Sequence, residues 1–433
     1  MTSVAAGIVG IGLLIILFLL RMPVAFAMGF IGLVGFAYLA GPEPALSILS
    51  QDIFEQFSSY PLTVIPMFIL MGTFAFASGI SQRLYKTTYA WVGQFRGGLT
   101  ATVFACAGFG AICGSSTATA ATMGKIALPE MKKYNYGDAL AAGTVAAAGT
   151  LGILIPPSTI LIVYGILTEE SIGKLFIAGV LPGLLLSLFF AATVLVLCAR
   201  NPSIGPPGVP TSWRVKLRAT TGIIETFILF LLAIGGLFLG WFSPTQAGAI
   251  GAGGTLLIGL ARRQLSWQSF FEASKDGLRT SCMVIFIITG AVIFGHFMAI
   301  STIPFVLAAW LGGLPISPIA VMVIIIFIYF IGGFFMDSMA LIVVTIPIFF
   351  PIVLELGFDP IWFGVIIVLG AEMGVITPPV GVNVFVIKGI APDIPLETIF
   401  KGILPFLVAL AIVTIILVIF PQIATFLPSF ISY

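Results

Sequence analysis

Apolar residues run along this chain in long stretches of about 20, each enough to cross a bilayer as one helix. Short polar or charged connections separate them. The pattern predicts spans over Val4–Leu20, Val24–Ala40, Leu62–Ser78, Asp138–Tyr164, Leu175–Ala199, Gly222–Trp241, Thr245–Ala261, Arg279–Ile300, Ile361–Lys388 and Thr398–Phe426. Arg83–Phe95 mixes Tyr85, Tyr89, Trp91 and Phe95 with bases and reads as an interfacial arm helix; Ile303–Leu311 reads as a second arm. Gly41–Pro61 holds Glu43, Asp52 and Glu55 and no base, and reads as a connection; Arg200–Thr221, rich in Pro and Gly, reads as a linker.

Two stretches fit no plain span. Gly108–Pro129, GFGAICGSSTATAATMGKIALP, places Ser115, Ser116, Thr117, Thr119 and Thr122 beside Gly110 and Gly114. Ile316–Leu356 is broken by Gly332-Gly333-Phe334-Phe335-Met336-Asp337-Ser338. Each reads as two half-helices meeting at a polar tip, a re-entrant hairpin, over about residues 97–131 and 316–356. Irregular backbone at membrane depth survives only where it is buried in protein or lines a water-filled cavity, because bare N–H and C=O groups in lipid cost several kcal/mol. Two spans are also broken, 138–164 at Gly152 and Pro156-Pro157, and 361–388 at Thr377-Pro378-Pro379.

These breaks recur at one spacing. Pro378 follows Pro156 by 222 residues (378 − 156), as Ser338 follows Ser116 (338 − 116), Pro351 follows Pro129 (351 − 129) and Gly374 follows Gly152 (374 − 152). A constant offset across tip, hairpin end and broken span predicts two repeats, 1–199 and 222–433, joined by a linker at 200–221. Basic residues mark the cytoplasmic side. Arg21, Arg83–Arg96, Lys132-Lys133, Arg200–Arg218, Arg262–Arg279 and Lys388–Lys401 then lie inside, and the acidic or uncharged connections outside. The assignment closes only if one hairpin enters from each side: Arg96 and Lys132 flank the first inside, Gly313 and Asp359 the second outside. The repeats are therefore expected to be inverted, with both termini outside.

Composition narrows the function. The chain has 433 residues, of which 60% are hydrophobic and 8% charged, against about a quarter charged in soluble domains. The expected fold is an all-α polytopic membrane protein. A net charge of +2 without a basic run gives nucleic acid no footing. Cys106, Cys113, Cys198 and Cys282 lie in apolar stretches without metal-ligand spacing, and His296 is the only histidine. Zinc and Ser–His chemistry are disfavoured, so no catalytic residue, transition metal or cofactor is expected. There is no G-x-x-x-x-G-K-[ST] loop to drive a primary pump.

Inverted repeats with broken helices at the midplane are the architecture of secondary transporters. Gly114–Thr117 is expected to face Gly152–Ser158, and Met336–Ser338 to face Gly374–Asn383. Unwound backbone and hydroxyls offer hard oxygen ligands suited to Na⁺, and half-helix N-termini favour a carboxylate. Thr119, Ser158, Asn383 and Lys125 are the positions expected to meet substrate, though Lys125 equally suits snorkelling to the cytoplasmic edge. Asp337 is an intramembrane acid, a functional residue by default or a partner for hydroxyls and amides; Glu372 carries a similar but weaker signal.

The stretches GSSTATAATMGKIALPEM, GTLGILIPPSTILIVYG and GVITPPVGVNVFV resemble the large membrane subunit of tripartite ATP-independent periplasmic (TRAP) transporters, and the likeness covers essentially the whole chain. The resemblance implies a bacterial or archaeal inner-membrane protein in which a mobile transport domain works against a scaffold as a Na⁺-coupled elevator. It implies a small Q-type membrane subunit of about four helices and a periplasmic binding protein that delivers an organic acid. It assigns Na⁺ to Ser115, Ser116, Thr117, Gly152 and Pro156 in the first half, and to Asp337, Ser338, Gly374, Thr377 and Pro378 in the second. The alternative is a stand-alone divalent-anion/Na⁺ symporter of related hairpin architecture, needing no binding protein.

Overall fold

A helix satisfies its own backbone, and that is why apolar stretches become helices where no water is available. The computed structural model describes residues 2–94, 98, 100–208, 210–312 and 317–431, and all regular structure among them is helical. Five helices are long and apolar enough to cross a membrane: Asp138–Thr168 taken with its break, Ile172–Arg200, Trp267–Ser301, Ser338–Glu355 and Leu396–Ile419. Shorter apolar helices, among them Ser3–Leu19, Val24–Ala40 and Pro360–Val375, fill out the bundle. The chain is an all-α, multi-pass membrane protein.

Lipid is as apolar as leucine, so burying a leucine against another helix gains little; close packing of small residues decides which faces meet. In Ser3–Leu19 the buried side is Ala6, Gly7, Gly10 and Leu14, while Ile8, Leu13, Ile15 and Leu19 are exposed. Gly32 lets Val24–Ala40 lie against the backbone of Trp267–Ser301: a Cβ there would meet Phe294 N at 2.7 Å. Val64–Ala77 packs along both Pro244–Ala261 and Trp267–Ser301, completing this group. A second group gathers Ser116–Lys133, Asp138–Gly149, Val382–Ile390 and Leu396–Ile419.

Three stretches differ from the sequence expectation. Gly41–Pro61 contains a helix, Pro42–Ser58, which starts on proline and bends by 54° into Pro61–Ala77. Proline is pre-organised at a helix start, and the helix buries Ala45 and Asp52 while its other acids stay exposed. The linker ends in a helix, Trp213–Thr221, bent by 50° from the next span. That span, expected as Gly222–Trp241, is interrupted by a π turn at Leu231–Gly235.

The first arm forms as Ile80–Val92; Phe95 and Arg96 lie outside the described residues. Its partner is the linker. Trp91 Nε1 donates to Thr220 Oγ1 at 2.8 Å, Thr87 Oγ1 to the Ala219 carbonyl at 2.8 Å, and Thr211 Oγ1 to the Ala90 carbonyl at 2.9 Å. The Lys216 ammonium lies 5.2 Å from the Trp213 ring centre and 5.9 Å from that of Trp91. The second arm is Ile303–Gly312.

Both polar breaks are turns between helices. Thr100–Cys113 and Ser116–Lys133 meet across Gly114-Ser115; Pro318–Gly332 and Ser338–Glu355 meet across Gly333–Asp337. The two distal helices each have 18 residues, and their starts lie 222 residues apart (338 − 116). The expected hairpin starts, Gly97 and Ile316, and the flank Gly313 lie outside the described residues. Gly114 has φ +66, left-handed backbone that glycine adopts without strain. Asp138–Gly149 leads through Leu151–Leu154 to the break at Pro156-Pro157, and Pro360–Val375 runs to the break at Pro378-Pro379; both Pro-Pro bonds are cis.

Candidate functional site

Short polar side chains favour helix N-caps because they accept from the open amides of the first turn. Ser115 accepts from the Ala118 amide at 3.3 Å, and Asp337 accepts from the Met339 amide at 3.0 Å. Two helix N-termini, with their positive dipole ends, are thereby brought to one place. They open on a cavity of about 680 Å³. Ser115, Ser116, Thr117, Asp337, Ser338 and Glu372 line it. Ser269, Glu272, Asp276 and Thr280 of the Trp267–Ser301 helix also line it, as does Lys125 of the first hairpin.

Glu372 joins the tips. Ser116 Oγ donates to its Oε2 at 2.8 Å, and Ser338 Oγ donates to its Oε1 at 2.7 Å. The residue is 2% exposed. A charge in such a place is costly unless hydrogen-bonded or neutralised, and the two hydroxyls do part of that. Ser116 Oγ also accepts from Asn383 Nδ2 at 2.8 Å, and the same amide nitrogen lies 3.2 Å from the Ala146 carbonyl. Asn383, Ser116, Glu372 and Ser338 thus form one hydrogen-bonded series. It ties the helix after the second proline break to both tips.

Each hairpin turn packs on its own broken helix. The Gly114 carbonyl accepts from Thr159 Oγ1 at 2.8 Å and from the Thr159 amide at 3.3 Å. A Cβ on Gly152 would meet the Ser115 carbonyl at 2.6 Å and also strike Thr119 Oγ1. A Cβ on Gly374 would meet Gly333 Cα at 2.6 Å. Glycine at these two places lets backbone and tip approach closely.

Buried oxygens beside the first tip suit a hard cation. Asn383 Oδ1 and Thr119 Oγ1 are buried with no hydrogen-bond partner among the described residues. The Ser115 carbonyl, which accepts from the Thr119 amide at 3.0 Å, lies close against Gly152. The two unpaired buried oxygens cost free energy unless something satisfies them. Na⁺ with carbonyl, hydroxyl and amide oxygens fits that donor set.

Other expected site residues are placed elsewhere. Thr377 turns back, its Oγ1 donating to the Met373 carbonyl at 2.5 Å, and Pro378 is exposed away from the cavity. Ser158 is buried and caps its helix by accepting from the Leu161 amide at 3.2 Å. Pro156 is buried in the break and does not line the cavity. Asn383 was paired in sequence with Met336–Ser338, yet its amide reaches the opposite tip. Glu372, the weaker of two intramembrane acids by sequence, is the bridging one. The signal for it is a lone acid in an otherwise apolar span whose counterpart at the 222 offset is Thr150 (372 − 222). Glu272 and Asp276 fall in Arg262–Arg279, read from sequence only as cytoplasmic, and they line the cavity.

The family model described as tripartite ATP-independent periplasmic transporter, DctM component, matches residues 11–423. The C4-dicarboxylate TRAP transporter large permease protein DctM of Pseudomonas aeruginosa is 38% identical over 397 residues, covering 91% of this chain and 92% of that one. The isethionate TRAP transporter permease protein DctMQ of Oleidesulfovibrio alaskensis is 36% identical over 409 residues, covering 94% of this chain and 64% of that one. Among solved structures, the Alcanivorax borkumensis YdaH transporter superposes with a TM-score of 0.63 at 14% identity, covering 88% of this chain and 89% of that one. At that identity the likeness concerns the fold alone.

Proposed function

The chain belongs to the DctM family of large membrane subunits of tripartite ATP-independent periplasmic transporters, and on that premise we propose that it carries a small organic acid into the cell, driven by Na⁺. Membership makes it a transporter permease subunit that works with a soluble substrate-binding protein and a small membrane subunit. The relative named DctMQ extends beyond the part that this chain matches, and its name supports a Q-type partner. Relatives named for C4-dicarboxylates and isethionate support a small organic anion, carboxylate or sulfonate, as cargo.

The observation that carries the reading is the convergence of two helix N-termini, at Ser116 and Ser338, on Glu372 in the lining of one cavity. In this reading Ser115, Thr119, Gly152 and Asn383 frame a Na⁺ site at the first tip, and Asp337 and Ser338 frame one at the second. Bound Na⁺ supplies positive charge beside the open helix ends and links uptake to the Na⁺ gradient. The residues do the rest. The helix N-termini orient an anion, and the glycine contacts hold the tips against their broken helices. Lys125, Glu272 and Asp276 lie on the side that the basic residues mark as cytoplasmic, so the cavity opens inward. The hairpins with their broken helices form the moving part, and the group built on Trp267–Ser301 is the scaffold.

The test is uptake of radiolabelled C4-dicarboxylates and isethionate into proteoliposomes holding this chain and its small subunit. Uptake that needs both a Na⁺ gradient and the binding protein supports the full reading. Uptake with Na⁺ alone moves the chain to stand-alone symport, and uptake indifferent to Na⁺ overturns the ion assignment.

A further inference from the structure

The two tips share one carboxylate. Ser116 and Ser338 are each the first residue of their helix, and they bond to different oxygens of Glu372 at 2.8 and 2.7 Å. The bridge has no second copy. At the 222 offset Glu372 corresponds to Thr150, whose Oγ1 returns to the Ala147 carbonyl of its own helix at 2.6 Å. Asn383 corresponds to Leu161 (383 − 222), which has no polar side chain. Two matching tips therefore lean on one unmatched acid.

A bidentate carboxylate buried at 2% exposure has little freedom. If one serine moves, the carboxylate must rotate or lose that bond, and its other oxygen shifts against the second serine. Ser116 has one proton and spends it on Glu372 while accepting from Asn383, so the series also has a direction. We infer that Glu372 is the positioning residue that couples the two tips, so that a cation at one raises the affinity of the other. This rests on the reading of the tips as Na⁺ sites. Positive sign follows because the first ion orders the Asn383–Ser116–Glu372–Ser338 series and the second meets a tip already ordered. Coupling of this kind is commonly about 5-fold or more in affinity.

Binding is measured without transport. Na⁺ is titrated against the purified chain in detergent, with choline chloride holding ionic strength constant, and saturation is read by intrinsic fluorescence. The expected wild-type curve is steeper than hyperbolic. Glu372→Ala, which cuts the series, should give a hyperbolic curve with a midpoint raised at least 5-fold. Glu372→Gln, which still reaches both serines, should restore part of the steepness. Ser338→Ala removes one limb only, should match Glu372→Ala in steepness, and serves if the alanine variant of the acid fails to fold. Cooperative curves in both alanine variants overturn the inference, and so does a hyperbolic curve for the wild type. A wild type with no saturable Na⁺ response overturns the Na⁺ reading itself.

Discussion

Asn383 donates to Ser116 across 267 residues of sequence, Nδ2 to Oγ at 2.8 Å, and so fastens the helix beyond the second proline break to the first hairpin tip. Asn383→Leu removes that donor and leaves the Ala146 carbonyl without it. The expected cost is about 1–3 kcal/mol, read as a lower thermal midpoint in detergent. A midpoint equal to wild type would reject the fastening role.

The first tip turns on Gly114, whose φ is +66 and whose added Cβ would meet the Pro157 carbonyl at 2.8 Å. Gly114→Ala should destabilise by about 1–2 kcal/mol from backbone strain alone, with the steric conflict added. Gly12→Ala, where nothing lies within 4 Å, is the control and should be neutral or stabilising. Equal behaviour of the two variants would contradict the turn's geometry.

Ser116→Ala and Asp337→Asn each alter one tip. Each should raise the Na⁺ concentration for half-maximal uptake on the order of tenfold, equivalent to about 1.4 kcal/mol of ion binding, while membrane insertion is unchanged. An unaltered Na⁺ dependence in both would remove the ions from the tips.

Lys132 and Asp393 pair at an exposed edge, and the Lys132 ammonium holds the Asp393 carboxyl below its ordinary range. A carboxyl depressed on folding contributes stability above its unfolded pKa, and that contribution fades as pH falls through the folded value. Exposed pairs contribute little and are screened by salt. Asp393→Asn should therefore flatten thermal stability against pH only on the acid side, in low salt. A change confined to alkaline pH would contradict the pairing.

Topology has its own check. With single cysteines, Asp359→Cys should label from the periplasmic face and Lys132→Cys from the cytoplasmic face. Reversed labelling of either would refute the opposed entry of the hairpins.

The sequence showed most of the frame, because apolar length and polar interruption are local properties. Ser115 and Asp337 stand at the tips for the reason that marks them in sequence, a short polar residue before a helix. Pro42–Ser58 was hidden because its acids, Glu43 and Glu55, read as a loop, and its large apolar residues Leu46, Phe54 and Phe57 stay exposed rather than marking a buried face. Thr377 looked like a ligand beside the proline pair, and its hydroxyl is taken by its own helix. Glu372 and Asn383 were underweighted because their importance lies in meeting Ser116, and tertiary contact leaves no local pattern. The 222-residue offset also suggests that each break serves its own tip, whereas Asn383 crosses between halves.

The arm Ile80–Val92 grips the linker through Trp91, Thr87 and Ala90. The expectation is that chain continuity between residues 200 and 207 is not what holds the parts before and after it together. A gene cut in that interval should yield two polypeptides that assemble when made together and purify as one particle. On that outcome the covalent join would serve synthesis and stoichiometry more than architecture, delivering one copy of each part to the same place in the bilayer.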